Sequence, residues 1–341
     1  MLLKCFAIVI TSSLVGWAAT KLLIRLLNRR GVVDIPNSRS SHTAPTPRGG
    51  GIGIIAGLVA GSLVAWLFGM ALPMPEFYIA LFIVALVGFI DDSSGGLSVR
   101  LRLALQVGAA VLVVYRTGGL TEFPLPHPFN ISLGVLGIPI AVVWIVGVTN
   151  LYNFLDGIDG FAGLQGVVAG LALSLLSGAD VFVSIGLSIA ASCAGFLFHN
   201  WHPARVFMGD VGSWTLGFAL SALPFQLDLA QKSEGVFLVA MCLWFFLSDG
   251  LFTIFRRLSR GEKIWEPHRS HLYQRLVRAG LSHNYVTLRV GIGSAIIAAV
   301  SVTSLLFPSA VSKWIVLALA LMAFFAYIQW TRNAESRSAH L

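Results

Sequence analysis

Residues 131–160 read ISLGVLGIPIAVVWIVGVTNLYNFLDGIDG. An almost uncharged apolar run ends without a spacer in Asn153, Asp156 and Asp159. A hydrocarbon layer of about 30 Å takes roughly 20 apolar residues of helix. The run is therefore a membrane span, and the acidic triplet sits where that span meets water. The spacing of three places Asn153, Asp156 and Asp159 along one side of a helix or tight turn. Two carboxylates and an amide are expensive at a membrane boundary unless they are paired or metal-bound.

The rest of the chain repeats this theme. Of its 341 residues, 56% are apolar or aromatic and 11% charged, against about 25% charged in a soluble domain. The mean hydropathy is +0.82. These values exclude a soluble enzyme, and the spread of apolar residues excludes one anchor helix on a globular domain. Eleven apolar runs are expected as spans, near 5–27, 50–72, 77–90, 101–115, 131–149, 159–177, 181–198, 212–227, 235–255, 286–307 and 312–330. The first is read as a helix and not a signal peptide, because it lacks a small-x-small cleavage site. The fold class is all-α: one polytopic domain, 1–341, with functional loops at 28–49, 91–100, 150–160, 199–211 and 256–285.

The net charge is +8, and its placement sets an orientation. On the eleven-span topology, nineteen of the 23 Lys and Arg fall on one side. Cytoplasmic loops hold such an excess, which puts the N-terminus outside and the C-terminus in the cytoplasm. Cys5, Cys193 and Cys242 lie far apart inside apolar runs, so neither a disulfide framework nor a Cys-type zinc site is expected.

Five acids gather on the basic side. Asp91 and Asp92 end the third span in GFIDDSSGG, Asp156 and Asp159 follow the fifth, and Asp210 lies in FMGDVGS before the eighth. The adjacent pair suits an oxygen ligand and a base; its plainer reading is a solvated helix-end cap. Glycines at 157, 160, 163 and 166 allow close helix packing. The turn around Asp210 suits Mg²⁺ or a phosphate, although GDxGS alone is often just a turn. In EPHRSHLYQRLVRAG, His268, Arg269, His271, Arg275 and Arg278 offer donors to a pyrophosphate, or a solvated positive loop. Arg39, His42, Thr46 and Arg48 in the first loop could close over an anion. Asp249, near the end of an apolar span, is either functional or paired with a neighbouring helix.

Together the segments DIPNSRSSHTAPTPRGGG, GFIDD, NLYNFLDGIDG, FMGDVGS and PHRSH resemble the polyprenyl-phosphate N-acetylhexosamine-1-phosphate transferases. They run in that family's order from 34 to about 280. The resemblance implies transfer of a sugar 1-phosphate from a UDP-N-acetylhexosamine to undecaprenyl phosphate, with UMP released and Mg²⁺ required. It implies a multi-pass protein of the bacterial inner membrane with its site facing the cytoplasm, no nucleic acid partner, and a homodimer as an assembly to consider. By the matching motifs, Asp91 and Asp92 act on the lipid phosphate and metal, Asn153, Asp156 and Asp159 line the nucleotide and metal site, and Asp210 is a magnesium ligand. His271 matches the first His of the family's third motif, but Tyr273 and Gln274 stand where further His residues are usual. That departure favours the branch that starts O-antigen-type polymers over the peptidoglycan enzyme and the common-antigen enzyme, and leaves N-acetylglucosamine and N-acetylfucosamine as candidate sugars. The expected catalytic set is Asp91, Asp92, Asp156, Asp159 and His271; His42, Arg48, His268, Arg269 and Arg275 bind substrate; Asn153 and Asp210 hold Mg²⁺. Either direct displacement or a phospho-aspartate could use it. A cation- or proton-coupled transporter is the competing class. It needs ionisable groups at mid-bilayer, whereas these acids lie at one face.

Overall fold

The structure, a computed structural model, describes residues 1–31, 33–34, 45–176, 180–228, 231–263, 268–309 and 311–339. His42 and Arg39, expected to bind an anion, lie outside the described residues. Thirteen α-helices are found among the described residues: α1 Leu2–Arg30, α2 Gly51–Leu67, α3 Pro75–Ser94, α4 Val99–Thr117, α5 Gly137–Phe154, α6 Phe161–Ser174, α7 Asp180–Asn200, α8 Gly209–Ala222, α9 Lys232–Cys242, α10 Trp244–Leu258, α11 Leu272–Arg278, α12 His283–Leu306 and α13 Ser312–Ser338. One two-residue antiparallel pair joins Val33–Asp34 to Thr46–Pro47.

Each of the eleven apolar runs coincides with helix. Six helices (α1, α3, α5, α7, α12 and α13) have the length and composition to cross a membrane, and the α9–α10 pair makes a seventh if counted as one bent span. The chain is a multi-pass helical membrane protein. The other four expected spans are not among them: α2, α6 and α8 are only 17, 14 and 14 residues long, and α4, 19 residues long, carries Arg100, Arg102 and Arg116. The expected span 235–255 is broken at Leu243, where α9 and α10 meet at 77°. Large apolar side chains such as Phe82, Val143, Phe198, Phe255 and Phe325 point outward, as lipid contact demands.

At the centre stands α8, every residue of which is buried, packed against α2, α3 and α5. Gly88 makes the α3 contact close: a Cβ there would meet the Cα of Val211 at 2.7 Å. Two helix starts are capped by a local side chain, Ser98 for α4 and Ser282 for α12, each accepting from an N–H three residues on. No local side chain caps α8. Its free N–H groups are met from α3, and that places the site.

Candidate active site

The amino end of α8 presents unpaired N–H groups and the positive end of the helix dipole. Asp92, in the last turn of α3, supplies the missing cap: its Oδ1 accepts the N–H of Asp210 and its Oδ2 that of Val211, both at 3.0 Å. Gly209 makes room for this. Its φ of +75° suits glycine, and a Cβ there would lie 2.5 Å from Asp92 Oδ2.

Arg48 reaches the same point from the first loop. Phe207 donates to Pro47 O at 2.8 Å, and the N–H groups of Gly49, Gly50 and Gly51 donate to Phe207 O and Met208 O. This zipper holds Arg48 beside residues 160 positions later in the chain. Its Nε lies 2.8 Å from Asp92 Oδ1 and its Nη2 2.8 Å from Asp210 Oδ1. Burial works against the guanidinium's charge, but Asp210 and Asp92 outweigh it and raise its pKa above the ordinary value. Asn153 closes the far side, donating to Asp210 Oδ1 at 2.9 Å and to Ser213 Oγ at 2.8 Å. Asp91 turns the other way. It accepts the N–H of Leu97 at 2.6 Å and pairs with Arg102 at 3.3 Å, closing the α3–α4 turn, while its carboxyl also interacts with that of Asp210.

The NxxDxxD triplet does not share one face, because α5 ends at Phe154 and the next residues turn. Asn153 and Asp156 stay with the carboxylate centre; Asp159 points to the opposite side. Its Oδ2 meets His202 Nδ1 at 2.6 Å, Ala204 N–H at 3.1 Å and His283 Nδ1 at 3.4 Å. Burial raises this carboxyl, but hydrogen bonds with His283 and His202 prevail and hold it below the usual range. Asp159, His202 and His283 offer ligand atoms all within 4.8 Å of one another, the one such set of His, Cys, Asp or Glu among the described residues. His283 Nδ1 also lies 3.4 Å from the backbone nitrogen of Asp159, so that one ring nitrogen faces both the carboxylate and the amide of this residue. Gly160, at φ +73°, donates its N–H to Asn200 Oδ1 at 3.0 Å and turns the chain into α6. Gly163 and Gly166 then pack α6 on Leu197 and Cys193 of α7. His202, His283 and Asn200 were not legible as partners: isolated in sequence, they meet Asp159 only through folding.

The sequence model of the family described as "Glycosyl transferase family 4" matches residues 74–228, the segment from α3 through α8 that builds this centre. The chain is 32% identical over 286 residues, 82% of its length and 79% of the relative's, to a Bacillus subtilis (strain 168) protein described as a probable undecaprenyl-phosphate N-acetylglucosaminyl 1-phosphate transferase. The chain belongs to glycosyl transferase family 4. Also similar are the decaprenyl-phosphate N-acetylglucosaminephosphotransferase of Mycobacterium tuberculosis, 29% identical with 87% and 82% of the two chains covered, and a Synechococcus elongatus phospho-N-acetylmuramoyl-pentapeptide-transferase, 33% identical with 71% and 67% covered.

In this family 4 phosphotransferase the basic segment before α12 divides into two parts. The rings of His268 and His271 lie 4.9 Å apart, tilted by 37°; burial first, then neighbouring His271 and Arg257, push His268 down to about 4, so near neutral pH it offers no positive charge. Arg269 is half-buried beside it. Arg275, expected to bind substrate, is instead committed to Glu335 of α13, with two contacts at 2.7 and 2.6 Å. A bidentate pair of that kind leaves little of the guanidinium for a pyrophosphate. Arg275→Gln should therefore leave the KM for a sugar nucleotide within about threefold while loosening the α11–α13 contact, a modest effect for a partly exposed pair. A KM rise above about tenfold would return Arg275 to the binding set.

The donor set fits a hard cation. Asp156 is half-buried, with no hydrogen-bond donor on its carboxyl among the described residues. Burial raises it to about 7; Arg48 opposes the rise, while Asp210, Asp92 and Asp159 add to it. An unpartnered carboxyl beside Asp210 is the oxygen pair that Mg²⁺ takes. Binding to a carboxylate with this pKa releases a proton. Apparent Mg²⁺ affinity should then fall about tenfold from pH 8 to pH 6 and flatten above pH 8, measured by calorimetry on the purified protein. Asp156→Asn should reduce that slope to the part left by Asp210, whose carboxyl burial raises to about 6. Without the metal the sign for stability is opposite: the raised pKa favours the folded state at low pH, and that contribution is lost as pH rises through 7.

Proposed function

We propose that this chain transfers an N-acetylhexosamine 1-phosphate from a UDP-sugar to undecaprenyl phosphate, yielding undecaprenyl-pyrophosphoryl sugar and UMP, on the cytoplasmic face of the bacterial inner membrane. The observation that carries this reading is the Arg48 bridge between Asp92 and Asp210 at the amino end of a buried helix. Carboxylates, a guanidinium and an orphan Asp156 meet where a membrane span ends. Such a centre brings two phosphate anions together and offsets their charge.

Asp210, Asp156 and Asn153 would hold Mg²⁺, which when bound neutralises the pyrophosphate. Arg48 is half-exposed and stands ready to turn from the carboxylates to a phosphate oxygen. Asp92 is the base that takes the lipid phosphate's proton, while Asp91 holds the α3–α4 turn around it. On the other side, Asp159 and its histidines frame the nucleotide, and His271 with Arg269 faces its phosphates. In a direct displacement the lipid phosphate oxygen bonds to the β-phosphorus, the bond to the bridging oxygen breaks, and UMP departs.

Relatives described as N-acetylglucosaminyl 1-phosphate and N-acetylglucosamine phosphotransferases support N-acetylglucosamine as the first sugar to test, with N-acetylfucosamine next. Tyr273 and Gln274, where additional histidines are usual, favour a role in starting an O-antigen-type glycan over the peptidoglycan step. Incubation of the purified protein with undecaprenyl phosphate, Mg²⁺ and each UDP-sugar, with UMP assayed, tests the proposal. UMP release with N-acetylhexosamine donors is expected; none with any donor would reject it, and release with only the muramoyl-pentapeptide donor would reassign it.

A further inference from the structure

Asp249 lies in α10, wholly buried, in a chain where buried acids are few. A carboxylate in such a place must be fully satisfied or it destabilises the fold. Five donors converge on it. Its Oδ1 accepts from Leu272 N–H at 2.9 Å, Thr253 Oγ1 at 3.1 Å and His271 Nδ1 at 3.2 Å; its Oδ2 accepts from Tyr273 N–H at 3.2 Å and Tyr327 Oη at 3.3 Å. The two backbone donors are the first N–H groups of α11, so one carboxylate both starts that helix and fixes the ring that precedes it. Gln274 adds to the hold by accepting the His271 N–H at 3.3 Å.

The arrangement dictates a proton position. A carboxylate only accepts, so the proton on Nδ1 of His271 faces Asp249, and Nε2 is left as the ring's working nitrogen. Nε2 has no hydrogen-bond partner among the described residues, although the ring is 3% exposed. Stacking on Tyr273, at 5.9 Å, keeps the ring from turning over. Tyr273 is itself tied by its hydroxyl to Phe154 O at 3.2 Å, next to Asp156. The chain of contacts thus runs from Asp249 through His271 and Tyr273 to the loop of the carboxylate centre.

We propose that Asp249 is a positioning residue of the transfer reaction: it fixes the tautomer and direction of His271 so that Nε2 meets the sugar-nucleotide phosphates. This rests on the role given to His271 under the proposed function. It differs from a merely structural carboxylate in one way, which is that its effect passes through a single ring.

Two measurements test it. In ¹⁵N-histidine-labelled wild-type protein in lipid, solid-state NMR with the His271 signal assigned by its loss in His271→Gln should show a protonated Nδ1. An unprotonated Nδ1 would overturn the proposal, and this readout needs no substrate. In the UMP assay, Asp249→Asn and His271→Gln should each lower kcat on the order of 10²-fold with KM changed by less than about threefold, and the double variant should be no worse than the poorer single. Losses that multiply would mean that Asp249 acts by holding the fold. A wild-type protein inactive with every donor would instead reject the transferase reading, while the NMR result still decides the Asp249–His271 contact.

Discussion

Asp210→Asn should lower UMP release by about 10² to 10³-fold at saturating donor, the range seen when one electrostatic contact to a developing charge is removed. The protein carrying it should remain folded. The cap of α8 uses the backbone N–H of residue 210, not its side chain, and Asp92 keeps both of its backbone donors. What changes is the charge: Arg48 retains Asp92 alone, Asn153 faces a neutral amide, and the oxygen offered beside Asp156 loses its negative charge. Thermal unfolding in detergent should shift by only a few degrees, and calorimetry should show weakened Mg²⁺ binding. Activity within about fivefold of wild type would remove Asp210 from the reacting centre. Asp92→Asn is a less clean experiment, because an amide there would set an NH₂ against one of the two α8 donors.

The second large effect is expected at a residue with no side chain. A Cβ at position 157 would stand 2.0 Å from the Tyr273 hydroxyl and 3.0 Å from the ring carbon that bears it. Tyr273 cannot step aside, being wholly buried between Phe161, stacked at 5.1 Å, and His271. Overpacking of this kind costs about 1 to 3 kcal/mol. The strain falls on the turn that carries Asp156, so Gly157→Ala should depress kcat by about 10²-fold, as small displacements of a reacting group do, and lower the melting temperature. Removing the hydroxyl makes room: Gly157→Ala with Tyr273→Phe should recover at least about tenfold of that loss. If the second substitution restores nothing, the clash is not the cause.

How much of this was legible beforehand follows from what each feature depends on. The spans were read from apolar length, which belongs to local sequence. The break at Leu243 was not, for no proline or glycine marks it and the run stays apolar across it. Asp92, Asp156 and Asp210 were found because charge is scarce, so each acid at a span end stood out, and Asn153 by its spacing from Asp156 and Asp159. The division of labour among them was hidden. Adjacency made Asp91 and Asp92 look equivalent, yet one caps α8 and the other ties down Leu97 and Arg102. Regular spacing made Asp159 look like a partner of Asp156, but the helix stops between Asn153 and Asp156. Arg275 looked like an anion binder because Glu335, sixty residues away, gave no sign of its pairing. Asp249 was noticed as an ionisable residue in an apolar run; its partners lie on α11 and α13 and could not be read from α10.

The last helix has a consequence for biogenesis. Tyr327 of α13 completes the shell around Asp249, and Glu335 holds Arg275 on α11. Every acid of the carboxylate centre, and His271 as well, is synthesised before α13 begins. A chain clipped after residue 311 would therefore insert with its reacting groups present, the shell around Asp249 short of one donor and Arg275 without its partner. Such a fragment is expected to release less UMP than the full chain in the same assay, which ties activity to insertion of the final segment.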